Sequence, residues 1–147
     1  MNSAVRPLFV AIAILAVIGI VVSSVSLQHH FAKSKTSYCD FGENFNCDLV
    51  NRSQYSEVAG IPVALIGIVG YTAILALATF YKAKAETPAL LGIASLGGLG
   101  FALYLTYVEK FILQAWCILC LTSLTMIVLI TLSSAMLIAR SMRPARP

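Results

Sequence analysis

Four stretches of this chain, residues 8–27, 61–81, 89–108 and 117–139, are apolar almost without interruption. Each reaches the roughly 20 helical residues needed to cross a hydrocarbon core about 30 Å thick. Lipid offers no partner to backbone N–H and C=O groups, so such runs must satisfy them internally, as helices. Hydrophobic residues make up 59% of the chain and charged residues 11%, far from soluble-domain averages. The expected fold class is therefore an all-α integral membrane protein, a four-transmembrane-helix bundle forming a single membrane domain over residues 1–147. The first run follows Arg6 and ends near the small residues Ser24 and Ser26, as a signal peptide would. It exceeds the usual apolar region of about 7 to 15 residues, so it is expected to stay as a spanning helix.

Charge sets the expected orientation. Arg6, Lys82, Lys84, Arg140, Arg143 and Arg146 face one side together with Glu86 alone. The other side, residues 28–60 and 109–116, balances Lys33, Lys35, Arg52 and Lys110 against Asp40, Glu43, Asp48, Glu57 and Glu109. Excess Lys and Arg stay in the cytoplasm. The chain is thus expected in the plasma membrane as a multi-pass protein, both termini cytoplasmic and all four cysteines at the extracytoplasmic face, where disulfides persist. The net charge of +4 follows from this rule and calls for no nucleic-acid partner, although a basic tail gains some binding to anionic membrane lipid.

The only long polar segment is the outer loop, residues 28–60, too long for a mere connector. It is expected to be an ordered cap, with CDLVNRSQYSEVAG forming a short helix along the membrane surface and Asp48 near its start. Gly60, Ile61 and Pro62 punctuate the passage into the second run. In the third, GIASLGGLG sets Ala94 and Gly98 four apart beside Gly92, Gly97 and Gly100. Small residues at such spacing let membrane helices approach closely. Tyr104, Tyr107 and Trp116 read as an interfacial aromatic belt, and Glu109 and Lys110 as markers of the water boundary. His29 and His30, at the end of the first run, read chiefly as an interfacial pair, although an imidazole there could feed protons to a site. Arg52 is placed to guide a partner or to pair with Asp48.

The chemistry lies in the cysteines. Cys39 and Cys47 occupy the outer loop; Cys117 and Cys120, in AWCILC, open the fourth run three residues apart, on one helical face. At a helix N-terminus the dipole and free N–H groups favour thiolate, so Cys117 should be the more easily ionised of that pair. Structural disulfides, a zinc site and buried cysteine acting as a small hydrophobe compete with a redox role. Against the first, a bridge closing so few residues removes little chain entropy. Against the second, a seven-residue gap departs from the usual metal hook. A dithiol at the membrane edge with a second pair on the loop above suggests a two-step wire into the bilayer. A quinone suits its end, because it dissolves in hydrocarbon and takes two electrons with two protons. No glycine-rich nucleotide fingerprint or haem-attachment pair offers another destination.

The ordered set Cys39-x7-Cys47, the serine-bearing stretch after it, GIPVALIGIVGY, and YLTYVEKFILQAWCILC resembles prokaryotic members of the vitamin K epoxide reductase family over most of the chain. The resemblance implies a four-helix bundle around a quinone site capped by the loop. It also implies a thioredoxin-like extracytoplasmic protein as electron donor, and thereby support of disulfide formation in secreted proteins. Cys39 would exchange with that protein; Cys47 would reduce the inner pair through a Cys47–Cys117 mixed disulfide; Cys120 would deliver electrons to a quinone of menaquinone or ubiquinone type, with Cys117 resolving. Ser53 matches a serine expected to hydrogen-bond a quinone carbonyl, and no metal is expected. Animal members carry an asparagine and a tyrosine where Val63 and Leu124 stand, so quinone reduction is favoured here over epoxide reduction. The alternatives are a non-enzymatic membrane subunit braced by disulfides, and a reductase serving a quinone or quinone-epoxide product.

Overall fold

The computed structural model describes residues 3–33, 39 and 42–143, and these are mostly helical. Helix α1 runs over Arg6–Phe31, α2 over Cys47–Asn51, α3 over Val63–Thr79, α4 over Thr87–Tyr107 and α5 over Ile118–Ser141. A 3-10 turn, Gln54–Ser56, and a hairpin of β1 (Glu57–Val58) with β2 (Ile61–Pro62) fill the segment between α2 and α3. Helix α4 continues into a π-helical turn, Val108–Leu113.

Three helices are long and apolar enough to cross a membrane: Arg6–Phe31, Thr87–Leu113 and Ile118–Ser141. The second expected span is shorter than its apolar run: the helix covers only Val63–Thr79. At its start, Ile61 and Pro62 pair in the hairpin with Val58 and Glu57 instead of entering the helix. The bend before them needs left-handed backbone at Ala59 (φ 54°) and Gly60 (φ 79°), where glycine costs least. The first helix outruns its expectation, carrying His29 and His30 in its last turn. The cap is correspondingly smaller than residues 28–60, and its helix α2 is five residues long.

Helix α1 packs against α3 and α5, and α4 packs against α5; α3 meets α4 more loosely, closing a ring of four. Phe9, Ile12, Tyr71, Ile74, Leu91 and Ile130 form much of the shared core. Outside, Val10, Ile14, Val69, Ile93 and Leu132 are exposed. That apolar surface is what lipid, rather than water, accommodates. Close approach depends on missing side chains: a Cβ on Gly19 would lie 2.5 Å from the Tyr71 ring. The small-residue stretch of α4 acts in part as expected. A Cβ on Gly92 or Gly98 would meet Ile138 or Ile127 of α5 at 2.8 and 3.0 Å, whereas Gly97 and Gly100 have open space.

Candidate redox site

At one end of the bundle the cap folds onto the segment that precedes α5. The backbone N–H of Trp116 donates to the Asn44 carbonyl (2.8 Å), and Asn46 N–H donates to the Trp116 carbonyl (3.0 Å). One residue beyond this two-bond clamp lie Cys47 on one strand and Cys117 on the other. Trp116, expected only in an aromatic belt, is half-buried and part of the clamp, while Tyr104 and Tyr107 are exposed. The Asn46 side chain then caps α2 by accepting from Leu49 N–H at 2.9 Å, so the helix carrying Cys47 starts where the clamp ends.

The result is a single cluster. Cys39, Cys47, Val50, Ala115 and Cys117 are buried together, with Leu119 and Cys120 packed against them. Cys39 and Cys47 form a disulfide; Cys117 and Cys120 are free thiols, the first buried and the second partly so. Cys117 lies just before α5, and its thiol is held below its ordinary value. The largest cause is hydrogen bonding from the Cys120 thiol; N–H groups of Cys120 and Leu119 assist, against burial and the Glu109 charge. The helix end expected to act on Cys117 supplies only the smaller contributions, through the Cys120 and Leu119 N–H groups.

Below the cysteines a cavity of about 380 Å³ enters the bundle, bounded by α1, α3, α4 and α5 and roofed by the cap. Ser53 and Cys120 line it, as do Asn51, Glu109 and Tyr71. The Ser53 hydroxyl donates to the Val50 carbonyl at 2.9 Å; its oxygen remains an acceptor, and donation to a ligand requires it to rotate. Tyr71 is anchored at the far wall, its hydroxyl donating to the Ser123 carbonyl at 2.8 Å. Val63 faces the cavity, whereas Leu124 packs into the core beside it.

Several residues gain roles that the linear chain did not disclose. Asn51 bridges cap and bundle: its Oδ1 accepts from the Ser26 hydroxyl (2.6 Å) and its Nδ2 donates to Cys117 Sγ (3.7 Å). Its signal was its position four residues after Cys47, on the same helical face. His29 is not merely interfacial. It is 1% exposed, with Nδ1 3.3 Å from Asp48 Oδ1, and His30 bonds the Asn51 carbonyl (2.6 Å) and Glu57 (3.1 Å). Arg52 donates to the carbonyls of His29 and Ala32 and lies 4.0 Å from Asp48, the anticipated partner.

Glu109 departs most from expectation. Rather than marking the water boundary it is 2% exposed, and Oε2 accepts the backbone N–H of Cys117 at 3.1 Å. Lys110, its neighbour, is exposed. The π-helical turn rotates Glu109 inward, and the turn is closed by Gln114 in left-handed backbone (φ 51°) with Ala115 N–H returning to the Glu109 carbonyl. An acid within an apolar segment was the available signal. Among the described residues no group of three or more His, Cys, Asp or Glu side chains could hold a metal ion.

This arrangement can exchange disulfides: a bridged pair, a free pair and an adjoining cavity share one buried cluster. The family model described as Vitamin K epoxide reductase family matches residues 10–135, a stretch that includes all four cysteines, the cap and most of the four long helices. The family is one of membrane oxidoreductases, and the Cys39–Cys47 pair fits a redox role in it. With that match covering most of its length, the chain belongs to the vitamin K epoxide reductase family.

Proposed function

We propose that the protein is a membrane thiol:quinone oxidoreductase that takes electrons from a thioredoxin-like extracytoplasmic protein and passes them to a menaquinone- or ubiquinone-type acceptor. In this reading the donor's dithiol is oxidised as the Cys39–Cys47 disulfide is reduced. Cys47 thiolate then attacks Cys117 of a Cys117–Cys120 disulfide, and Cys39 displaces Cys117 from the mixed disulfide to re-form the cap bridge. The inner pair is left as two thiols. Its reoxidation delivers two electrons and two protons to the quinone, from Cys120. A bridged cap above free inner thiols, the combination present here, fits the state that such a relay would pass through between those two transfers.

The observation that carries the proposal is the placement of both cysteine pairs in one buried cluster whose Cys120 lines a cavity of about 380 Å³, within the range of small-molecule sites. The walls are mainly apolar, as a quinone ring needs, and Ser53 and Asn51 bring polar atoms to it. In the same reading α3 is the fourth span. Its 17 residues give about 26 Å of helix, short enough to need the hairpin and local thinning of the bilayer. The cap faces the extracytoplasmic side of the plasma membrane and both termini face the cytoplasm.

The test is purified protein with a dithiol donor and a soluble quinone, followed by the quinone's ultraviolet absorbance. Turnover is expected in the unaltered protein and its loss in Cys120→Ala, with folding retained. Unchanged turnover in Cys120→Ala would reduce the cap bridge to a brace and remove the proposal. Offering a quinone epoxide in parallel separates a reductase that serves the quinone product; Val63 and Leu124, apolar, leave little to hold an epoxide oxygen.

A further inference from the structure

One ionisable side chain at the site has no part in the relay described so far. Glu109 is 2% exposed, yet only one of its carboxylate oxygens is satisfied. Oε2 accepts from Cys117 N–H at 3.1 Å, while Oε1 has no hydrogen-bond partner among the described residues. Burying an ionisable group in this way is costly. Holding the Cys117 backbone does not explain the cost, because a neutral glutamine would accept the same hydrogen bond. The carboxylate also lines the cavity with Cys120, and the two groups interact. The π-helical turn that aims Glu109 inward is itself a feature often found at functional sites.

We propose that Glu109 is the proton-transfer residue between the inner dithiol and the bound acceptor, an inference that rests on the quinone-reducing reading above. Starting from two thiols and a carboxylate, Glu109 takes the protons of the two thiols in turn, the more easily ionised Cys117 first and Cys120 second, and passes one to each quinone oxygen. The S–S bond between Cys117 and Cys120 forms as both S–H bonds are lost. The dithiol gives up two electrons, the quinone gains two electrons and two protons, and Glu109 ends as the carboxylate it was. A buried base supplies what the cluster otherwise lacks: Cys117 is fully buried and cannot pass its proton directly to water.

The variant that separates this from a structural role is Glu109→Gln, which keeps an acceptor for Cys117 N–H and cannot take a proton. Single-turnover quinone reduction by the prereduced protein should fall about 100-fold or more in Glu109→Gln. Its remaining rate should climb with pH more steeply than that of the unaltered protein, because solvent must now remove the protons. Glu109→Asp should recover part of the rate. His30, Tyr55 and Tyr71, the titratable groups that line the cavity besides Glu109 and Cys120, are unchanged in the comparison; His30 is engaged with Glu57 and Tyr71 with Ser123. A Glu109→Gln protein with the normal rate, or with a lowered rate and an unaltered pH profile, overturns the proposal. Should Glu109→Gln fail to fold, an Asp variant no faster than Glu109→Ala overturns it equally. Absence of quinone reduction in the unaltered protein, by contrast, strikes the reading beneath it and takes this inference with it.

Discussion

Single atoms at Asn51 join three parts of the molecule. Ser26 on α1 donates to its Oδ1, its Nδ2 donates to the sulfur of Cys117, and its own carbonyl accepts from His30. Asn51 is 7% exposed, so both side-chain contacts are shielded from bulk water. Asn51→Leu preserves the volume while leaving the Ser26 hydroxyl without this acceptor. It is expected to destabilise the protein by about 1–3 kcal/mol, the usual cost of stranding a buried polar group. Thermal unfolding in detergent measures this, and a loss below a few tenths of a kcal/mol would show the contact to be dispensable. The sequence carried part of this residue's role, since its spacing from Cys47 fixes its helical face. Its partners come from α1 and from the segment before α5, respectively 25 and 66 residues away.

At the scale of elements, the start of α5 governs the inner thiols. The N–H groups of Leu119 and Cys120 favour negative charge on Cys117, after the larger contribution of the Cys120 thiol itself. An acid held below its ordinary value stays ionised as pH falls, until the lowered value is passed. With the cap bridge intact, the first thiolate to appear in the ultraviolet absorbance as pH rises, a readout that needs no reagent at the buried sulfur, should therefore be Cys117, with a midpoint below the free-cysteine value of about 8.5. Cys120→Ala removes the leading cause and should move that midpoint upward in the same titration. The stabilisation linked to this thiolate is present above the unfolded-state value and is lost as pH drops through the folded one. The primary structure disclosed the smaller contribution, because a helix end acts on residues adjacent in the chain; the larger one, from the Cys120 thiol, was no part of that expectation. The inward turn of Glu109 was not legible, because an apolar periodicity does not distinguish an α-helix from one ending in a π-turn.

Across the whole molecule, the cap is held at the cysteine end by the Trp116 clamp and by α1, while Arg140 donates to the Ala4 carbonyl at the opposite end. The relay requires Cys47 and Cys117 to swap bonds across the cap-to-bundle contact. In a Cys39→Ala, Cys120→Ala double variant those two are the remaining cysteines, and mild oxidation should join them in most molecules. Non-reducing electrophoresis after proteolysis within the intervening chain would detect the cross-link, and a failure to form it in folded protein would break the proposed route. The amino-acid sequence alone determined the membrane class, the helical content and the motif set that points to the family. Each depends on local composition or on order along the chain: apolar length dictates helices in lipid, and cysteine spacing survives any arrangement of them. Tertiary structure alone decided that Glu109 is buried, that Asn51 reaches Cys117, that His29 docks the cap and that all four sulfurs share one cluster. Those are contacts between segments distant in sequence, chosen by packing that no single segment encodes.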